Sequence, residues 1–442
     1  MEERPTSVPK AKQVGTLFSP DLGRWLWSAP SVWTARMLTT LEEGVKGGVW
    51  YSLIDKVWSL RNLQAAVTKV ISNQGAAGVD HVTTAMFESH RDTNLQRLQE
   101  DLRNATYVPQ EIQRQWIPKL GSNELRPLGI PTVRDRVVQT ALRNVLEPIF
   151  EKDFAEHSYG FRPNRGCKDA LGRVETLLKG GYEYVVDVDL KSYFDTIPHD
   201  RLLECVRAKI ADGRVLDLLK AYLQQKVMDE LQHWTPEQGT PQGAVISPLL
   251  SNIYLDPLDH VMAQEGYEMV RYADDMVVLC RTRAEADRAL ARIEEWTTQV
   301  GLTVHPTKTR IVHADKEGFD FLGYHFERGM RWPRPKSLQK FKETIRRKTR
   351  RTDGRSLLEI IADVTRTLRG WFEYFKHSHK TTFNPLDSWI RMRLRSILRR
   401  RRGKRGRGRG SDHQTWPNDF FARLGLYSLK AAHRSARQSC FR

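Results

Sequence analysis

Four carboxylates in two short stretches are the side chains of this sequence best placed to do chemistry. Tyr272-Ala273-Asp274-Asp275 is flanked by apolar runs, Met269-Val270 before it and Met276-Val277-Val278-Leu279 after it. Asp-Asp is poor strand material, so the segment reads as strand, tight turn, strand, with two adjacent acids at a hairpin tip. Carboxylates held that close repel, and a cation between them or a proton on one relieves the repulsion. Mg2+ suits such a pair best, because it takes oxygen ligands and shares its shell with phosphates. Asp also favours turns on its own account, so the tetrapeptide gains weight only from a third carboxylate on another strand.

Tyr184-Val185-Val186-Asp187-Val188-Asp189-Leu190 offers that third carboxylate. Period-two alternation puts Val186, Val188 and Leu190 on one face and Val185, Asp187 and Asp189 on the other. If this strand neighbours the hairpin, its acids lie close to the tip. Two Mg2+ ions about 4 Å apart, bridged by such carboxylates, drive in-line displacement at phosphorus. The spacing does not choose between Asp187 and Asp189, and either alone reads equally well as a solvated acid on an edge strand.

Elements able to position these acids are legible around them. Ala284 to Val300 has helical apolar spacing closed by Gly301, and Leu249 to Asp256 continues as a helix. Arg201 to Gln225 reads as helix with a break near Gly213, and Val137 to Glu147 as an amphipathic helix disturbed at Pro148. Helical spacing also recurs through Met37 and Leu41, and through Ile54, Val57, Leu60 and Leu63. Ile117-Pro-Lys119 and Arg126-Pro-Leu-Gly-Ile-Pro131, around a polar turn, form a hairpin whose cations suit a nucleotide triphosphate. Ser158-Tyr159-Gly-Phe-Arg162-Pro-Asn-Arg165 is an irregular loop in which aromatics could stack on bases and arginines take phosphates; Tyr159 and Phe161 could equally be core plugs. Lys336 to Arg351 is a basic helix, and Arg399 to Gly410, without one apolar residue, reads as a flexible loop or nucleic-acid arm that buries nothing.

Composition narrows the partners. The chain has 442 residues, a net charge of +18 and a pI near 9.8, which call for a polyanion, nucleic acid first. No apolar run is long enough to span a bilayer. The four cysteines show neither CxxC pairing nor zinc spacing, and the amino terminus is unlike a secretory signal, so an intracellular, cytoplasmic setting is expected.

The Tyr-x-Asp-Asp box, the Asp189-Leu-Lys-Ser-Tyr-Phe-Asp195 box and Gln238-Gly-Thr-Pro-Gln-Gly-Ala-Val-Ile-Ser-Pro248 stand in the order and spacing of one family. The chain resembles reverse transcriptases of the group II intron-encoded maturase family from about Ile54 to Leu429. The resemblance implies an α+β fold, a right-hand polymerase with antiparallel palm sheet and fingers, followed by a helical thumb (maturase) domain and a basic C-terminal region. It implies boundaries at 1–105 (N-terminal extension and first fingers box), 106–330 (fingers and palm), 331–398 (thumb) and 399–442 (DNA-binding-like). It makes Asp189, Asp274 and Asp275 the catalytic and metal-binding carboxylates around two Mg2+ ions, and leaves Asp187 a non-ligand. The Leu190 carbonyl would lie near the metals, Phe194 under the sugar of the incoming nucleotide, and Gln242 in the nucleotide pocket. Lys119 and Arg126 would meet the triphosphate, and Lys308, in Leu302-Thr-Val-His-Pro-Thr-Lys-Thr, would approach the active site. Tyr159, Arg162 and Arg165 match a template-contacting motif; Arg401 and Arg405 sit in the basic run.

Function follows as an expectation: an RNA-directed DNA polymerase that binds intron RNA to promote splicing and mobility. Implied partners are intron RNA, an RNA template with a DNA primer, target DNA and deoxynucleoside triphosphates, with no membrane, in a bacterial host. No residues remain for the HNH endonuclease of many relatives, so the resemblance is to the endonuclease-lacking kind. A host-adapted reverse transcriptase and a splicing cofactor with an idle polymerase site are the alternatives.

Overall fold

The computed structural model of this chain describes residues 22–45, 47–118, 125–408 and 410–439. It divides into two compact units. The first gathers residues 1–110, 131–153 and 203–222 and is built of helices, among them Leu60–Ser72, Arg91–Arg103 and Val133–Glu151. Leu63, Ala66 and Val67 of one and Val137, Val138, Ala141 and Leu142 of the other are fully buried. The helix expected to falter at Pro148 runs on to Glu151. A proline cannot donate to the carbonyl four residues back, here that of Asn144. The Trp33 indole N–H donates to that carbonyl instead, at 3.0 Å, so the orphaned acceptor has a partner. The break near Gly213 is present, between helices His199–Arg207 and Gly213–Leu223. Just before it, the Asp212 carboxylate accepts the N–H groups of Leu53, Ile54 and Arg214 at 2.7–3.1 Å.

The second unit comprises residues 111–130, 154–202 and 223–442. Its strands are β1 (Ile112–Pro118), β2 (Leu125–Ile130), β3 (Tyr184–Val188), β4 (Val227–Asp229), β5 (Gln232–Trp234) and β6 (Glu268–Tyr272). They continue as β7 (Asp275–Cys280), β8 (Arg310–His313), β9 (Phe319–Phe321), β10 (Tyr324–Glu327) and β11 (Met330–Pro333). Among the described residues three sheets form, in the orders β2-β1-β4-β5, β6-β7-β3-β8 and β11-β10-β9. The middle one is antiparallel throughout, as a palm sheet should be. Its β3 is an interior strand, which excludes the edge-strand reading of Asp187 and Asp189. Helices Cys167–Lys179, Ser247–Gln264 and Arg283–Gln299 cover this sheet. Val174, Leu177, Val185, Val277, Leu279 and Val312 pack as one apolar core with Phe319 and Phe321.

Beyond the strands, helices Pro335–Lys348, Leu357–Phe375, Phe383–Arg401 and Leu429–Ser439 surround a second core. Trp416, Phe421 and Leu429 share it with Phe341, Leu368 and Leu394, so residues 416–429 belong to the same packed body as the thumb helices. The Arg399–Gly410 run is the expected loop only in part: residues 402–408 lie outside helix and strand, and 402–407 are exposed. Arg399 to Arg401 form the last turn of a helix, where cations suit the unpaired carbonyls. The chain then folds back: Gly408 is buried, its N–H donates to Ser396 Oγ at 2.9 Å, and a Cβ there would stand 2.4 Å from that of Arg395. A run without apolar residues packs because its glycine has no side chain to exclude.

Candidate active site at the palm hairpin

Strands β6 and β7 are joined by the two-residue turn Ala273-Asp274, with Tyr272 and Asp275 as the last pair. Ala273 has φ of +59°, a left-handed conformation that a non-glycine residue adopts at a cost. Arg271, 1% exposed, holds the turn from below. Its Nε donates to both oxygens of Asp259, at 2.8 and 3.0 Å. Its Nη1 donates to Asn252 Oδ1 at 2.9 Å and to the Ala273 carbonyl at 3.0 Å. Asn252 donates to the Gly160 carbonyl at 2.8 Å, and the Tyr159 N–H to the Arg271 carbonyl at 2.9 Å. At Gly160 a Cβ would lie 2.2 Å from the Ala273 nitrogen, so only glycine allows this approach.

The Ser158–Arg165 loop is therefore a buttress for the hairpin tip, which corrects the nucleic-acid role expected of Tyr159 and Arg162. Tyr159 is buried in the palm core. Arg162 is also buried, its guanidinium donating to the carbonyls of Ala155, Ser158 and Phe154. An irregular loop leaves carbonyls without ladder partners, and an inward arginine satisfies several at once. Arg165 is half-buried over the Tyr159 ring, and Phe161 remains exposed.

The carboxylates meet at the same end of the sheet. β3 and β7 pair up to Val188 opposite Met276, so Asp189 and Asp275 are the next residues on adjacent strands. The Asp189 backbone is fixed by the Thr309 hydroxyl and by the His305 N–H, which donates to its carbonyl at 2.7 Å. Lys308 Nζ stands 3.4 Å from the Asp189 carboxylate. Desolvation and the charge of Asp274 push the Asp275 carboxyl up to about 6, Asp189 and Asp187 adding to the rise while Arg334 opposes it. Asp275 itself remains exposed. Asp274 is raised by desolvation and by Asp189, against its own backbone N–H and Arg126. Asp187 faces Arg310 at 3.5 Å. Hard oxygen donors whose charges disfavour one another form a set that suits a hard divalent cation. Among the described residues no group of three or more His, Cys, Asp or Glu stands close enough together to hold a metal ion.

Beside the acids lies a wall able to hold a nucleotide. Phe194, half-buried, follows Tyr193, whose hydroxyl donates to the Ser251 carbonyl at 2.8 Å; the two rings are edge to face at 5.4 Å. Gln242 accepts from Arg126 Nε at 2.9 Å and donates toward Asp195 at 3.5 Å. The Gly129 N–H donates to the Gln242 carbonyl at 2.6 Å, and Gly243 has φ of +106° with the Gly129 oxygen 2.5 Å from where a Cβ would be. A cavity of about 760 Å3 is lined here by Phe194, Asp195, Gln242, Arg114 and Trp234. Leu190 bridges to Val304, and no donor to its carbonyl is found among the described residues. Lys119 lies outside the described residues. Arg401 donates to the carbonyls of Asp353 and Arg355, and Arg405 is exposed. Sequence reasoning missed Arg271 and Asp259; the signal was an arginine inside an apolar strand, a position that demands a buried partner.

Two family models match this chain: reverse transcriptase (RNA-dependent DNA polymerase) over residues 117–326, and the group II intron maturase-specific domain over residues 338–415. Protein YkfC of Escherichia coli (strain K12) is 34% identical over 309 residues, 60% of this chain and 80% of that protein. The group II intron-encoded protein LtrA of Lactococcus lactis subsp. cremoris is 37% identical over 201 residues, 45% of this chain. This chain belongs to the group II intron reverse transcriptase/maturase family. The family match joins a polymerase domain to a maturase domain in one chain, in the order expected from the boxes, and the family works with divalent metal ions on nucleic acids. The match spans 33% of the length of LtrA. Among solved structures, a chain of a partial Cas6-RT-Cas1–Cas2 complex aligns over 56% of this chain and 42% of its own, at 22% identity and a TM-score of 0.36. No helix among the described residues is long and apolar enough to cross a membrane.

Proposed function

We propose that this family member copies an RNA template into DNA from a DNA primer, and binds its intron RNA to promote splicing and mobility into target DNA. The observation that carries the reading is the approach of Asp189 to the Asp274-Asp275 tip across adjacent palm strands, with Lys308 beside them. Asp189, Asp274 and Asp275 would hold two Mg2+ ions, with the Leu190 carbonyl nearby. When bound, such ions would make the primer's own 3′-hydroxyl easier to deprotonate for attack and would neutralise charge on the departing pyrophosphate.

The chain's own residues do the rest. Arg126 and Gln242, already hydrogen-bonded to each other, orient the triphosphate of a deoxynucleotide, and Lys119 is proposed to join them. The Phe194 ring fills the space a 2′-hydroxyl would need. Lys308 balances the Asp189 charge. Arg165, Arg401, Arg405 and the basic Pro335–Lys348 helix take backbone phosphates of template, primer and intron RNA. The divisions 1–105, 106–330 and 331–398 remain the working functional map, with 399–442 continuing the thumb body in a cytoplasmic, bacterial setting. The test is extension of a labelled DNA primer on an RNA template with deoxynucleotides and Mg2+, beside splicing of the intron RNA. Extension that EDTA abolishes, together with splicing, is expected. Splicing without extension would reduce the chain to a cofactor with an idle site.

A further inference from the structure

A cavity of about 580 Å3 opens in the second unit with none of the proposed catalytic residues in its lining. Its walls come from the Cys167–Lys179 helix, the β10–β11 hairpin, the 376–380 connection and the Leu429–Ser439 helix. Arg331, His377, His379, Lys380, His433 and Arg437 face it. One carboxylate, Glu175, stands among them, and it is already paired with Arg331 and Lys179, each at 2.9 Å. The wall is therefore cationic on balance. A second cavity, of about 700 Å3, shares Lys380, His433 and Arg437, so these three side chains sit where two hollows meet.

The site is built rather than a loose spray of surface charge. The His379 N–H donates to the Arg331 carbonyl at 2.8 Å, which ties the connection to β11. The His433 ring packs on Phe383 at 4.6 Å, and His379 Nδ1 is 2.8 Å from the Thr381 hydroxyl. Ser378, 2% exposed, also lines the cavity, with the Tyr324 hydroxyl beside its Oγ.

We propose that this cavity binds phosphate groups, either the phosphodiesters of a nucleic-acid strand or a free polyphosphate, at a site separate from the polymerase centre. Arginine presents a fork of donors to phosphate oxygens, and lysine and histidine add point contacts. The volume suits one or two phosphates with attached sugars. Desolvation and the charges of Arg331 and Lys376 lower the His377 pKa; desolvation, Arg437 and His379 lower that of His433. Rings whose charged form is disfavoured in this way gain a proton more readily when an anion sits beside them, so a bound phosphate acts against the lowering on both.

The test uses the full-length protein, selectively labelled at its histidine rings, without added divalent metal so that the polymerase centre does not capture the probe. His377→Gln and His433→Gln assign the two ring signals. Inorganic pyrophosphate in one arm, and a short single-stranded RNA oligonucleotide in the other, should each be titrated in. Binding is expected to raise the pKa of both rings by about one pH unit. The Lys380→Gln/Arg437→Gln double variant should weaken binding about tenfold or more, while Lys380→Arg/Arg437→Lys, the folding control, stays close to the parent. Response to pyrophosphate at or below the oligonucleotide concentration identifies a free polyphosphate; response to the oligonucleotide alone identifies a strand. The double variant should still extend a short primer on an RNA template, which separates loss of this site from failure of the polymerase reading. Silence of both histidines with both probes, or unchanged binding by the double variant, overturns the proposal.

Discussion

Asp275, with its pKa at about 6, holds a proton more tightly in the folded chain than in the unfolded one, where an aspartate sits near 3.8. Its contribution to stability therefore falls as pH rises from about 4 to about 6, and the full penalty is present above that window. Asp275→Asn should raise the melting temperature of the metal-free protein at pH 7.5, with the gain shrinking by pH 4; scanning calorimetry at the two pH values checks it. A melting temperature that falls equally at both would mean the carboxylate is a structural partner. Phe194 makes a different kind of claim, about shape. Phe194→Ala should reduce discrimination against ribonucleotides by roughly tenfold or more, read from the ratio of kcat/KM values for matched deoxy- and ribonucleotides. At this scale the sequence was informative: the spacing of Asp274-Asp275 and the alternation of β3 announced the acids. It could not separate Asp187 from Asp189, because that depends on which neighbour each carboxylate meets. Asp187 meets Arg310 and Asp189 meets Lys308, and both cations come from a stretch more than a hundred residues later in the chain.

Elements were legible where a local pattern decides them and obscure where a distant side chain does. The hairpin of β6 and β7 and the helix Arg283–Gln299 follow from periodicity and turn chemistry. The continuation past Pro148 does not, since it depends on an indole more than a hundred residues away. The Ser158–Arg165 loop shows the same limit. Its aromatics and arginines suit a strand-binding surface, yet the fold turns Tyr159 and Arg162 inward to support the catalytic turn. The Arg271–Asp259 pair beneath that turn is buried on both sides. Removing one partner leaves an uncompensated buried charge, so Asp259→Ala should destabilise the protein by about 3–5 kcal/mol. Chemical denaturation measures it, and a loss below about 1 kcal/mol, the range of an exposed pair, would show the arginine to be solvated.

Over the whole molecule, the charge of +18 is the clearest statement the composition makes. It does not say which cations meet nucleic acid, and the fold reassigns several. Arg399 is held by Asp412, and Gly408 is wedged against the Phe383–Arg401 helix, so deleting the run would dismantle packing as well as charge. Arg405 and Arg407 are exposed and give a cleaner probe. Arg405→Gln with Arg407→Gln should leave the melting temperature unchanged and reduce the slope of log affinity against log salt by roughly 1.5. An unchanged slope would remove this loop from the binding surface.

Primer extension by Asp274→Asn reaches the central claim most directly, because that residue sits on the turn the surrounding network exists to hold. Its side chain keeps its size and loses its charge, so the fold and the RNA-binding surface should survive. The account predicts that extension on an RNA template falls by about a thousandfold or more, as expected when a carboxylate needed for the transition state is neutralised, while RNA affinity stays within about twofold. Extension near the parent rate would contradict it.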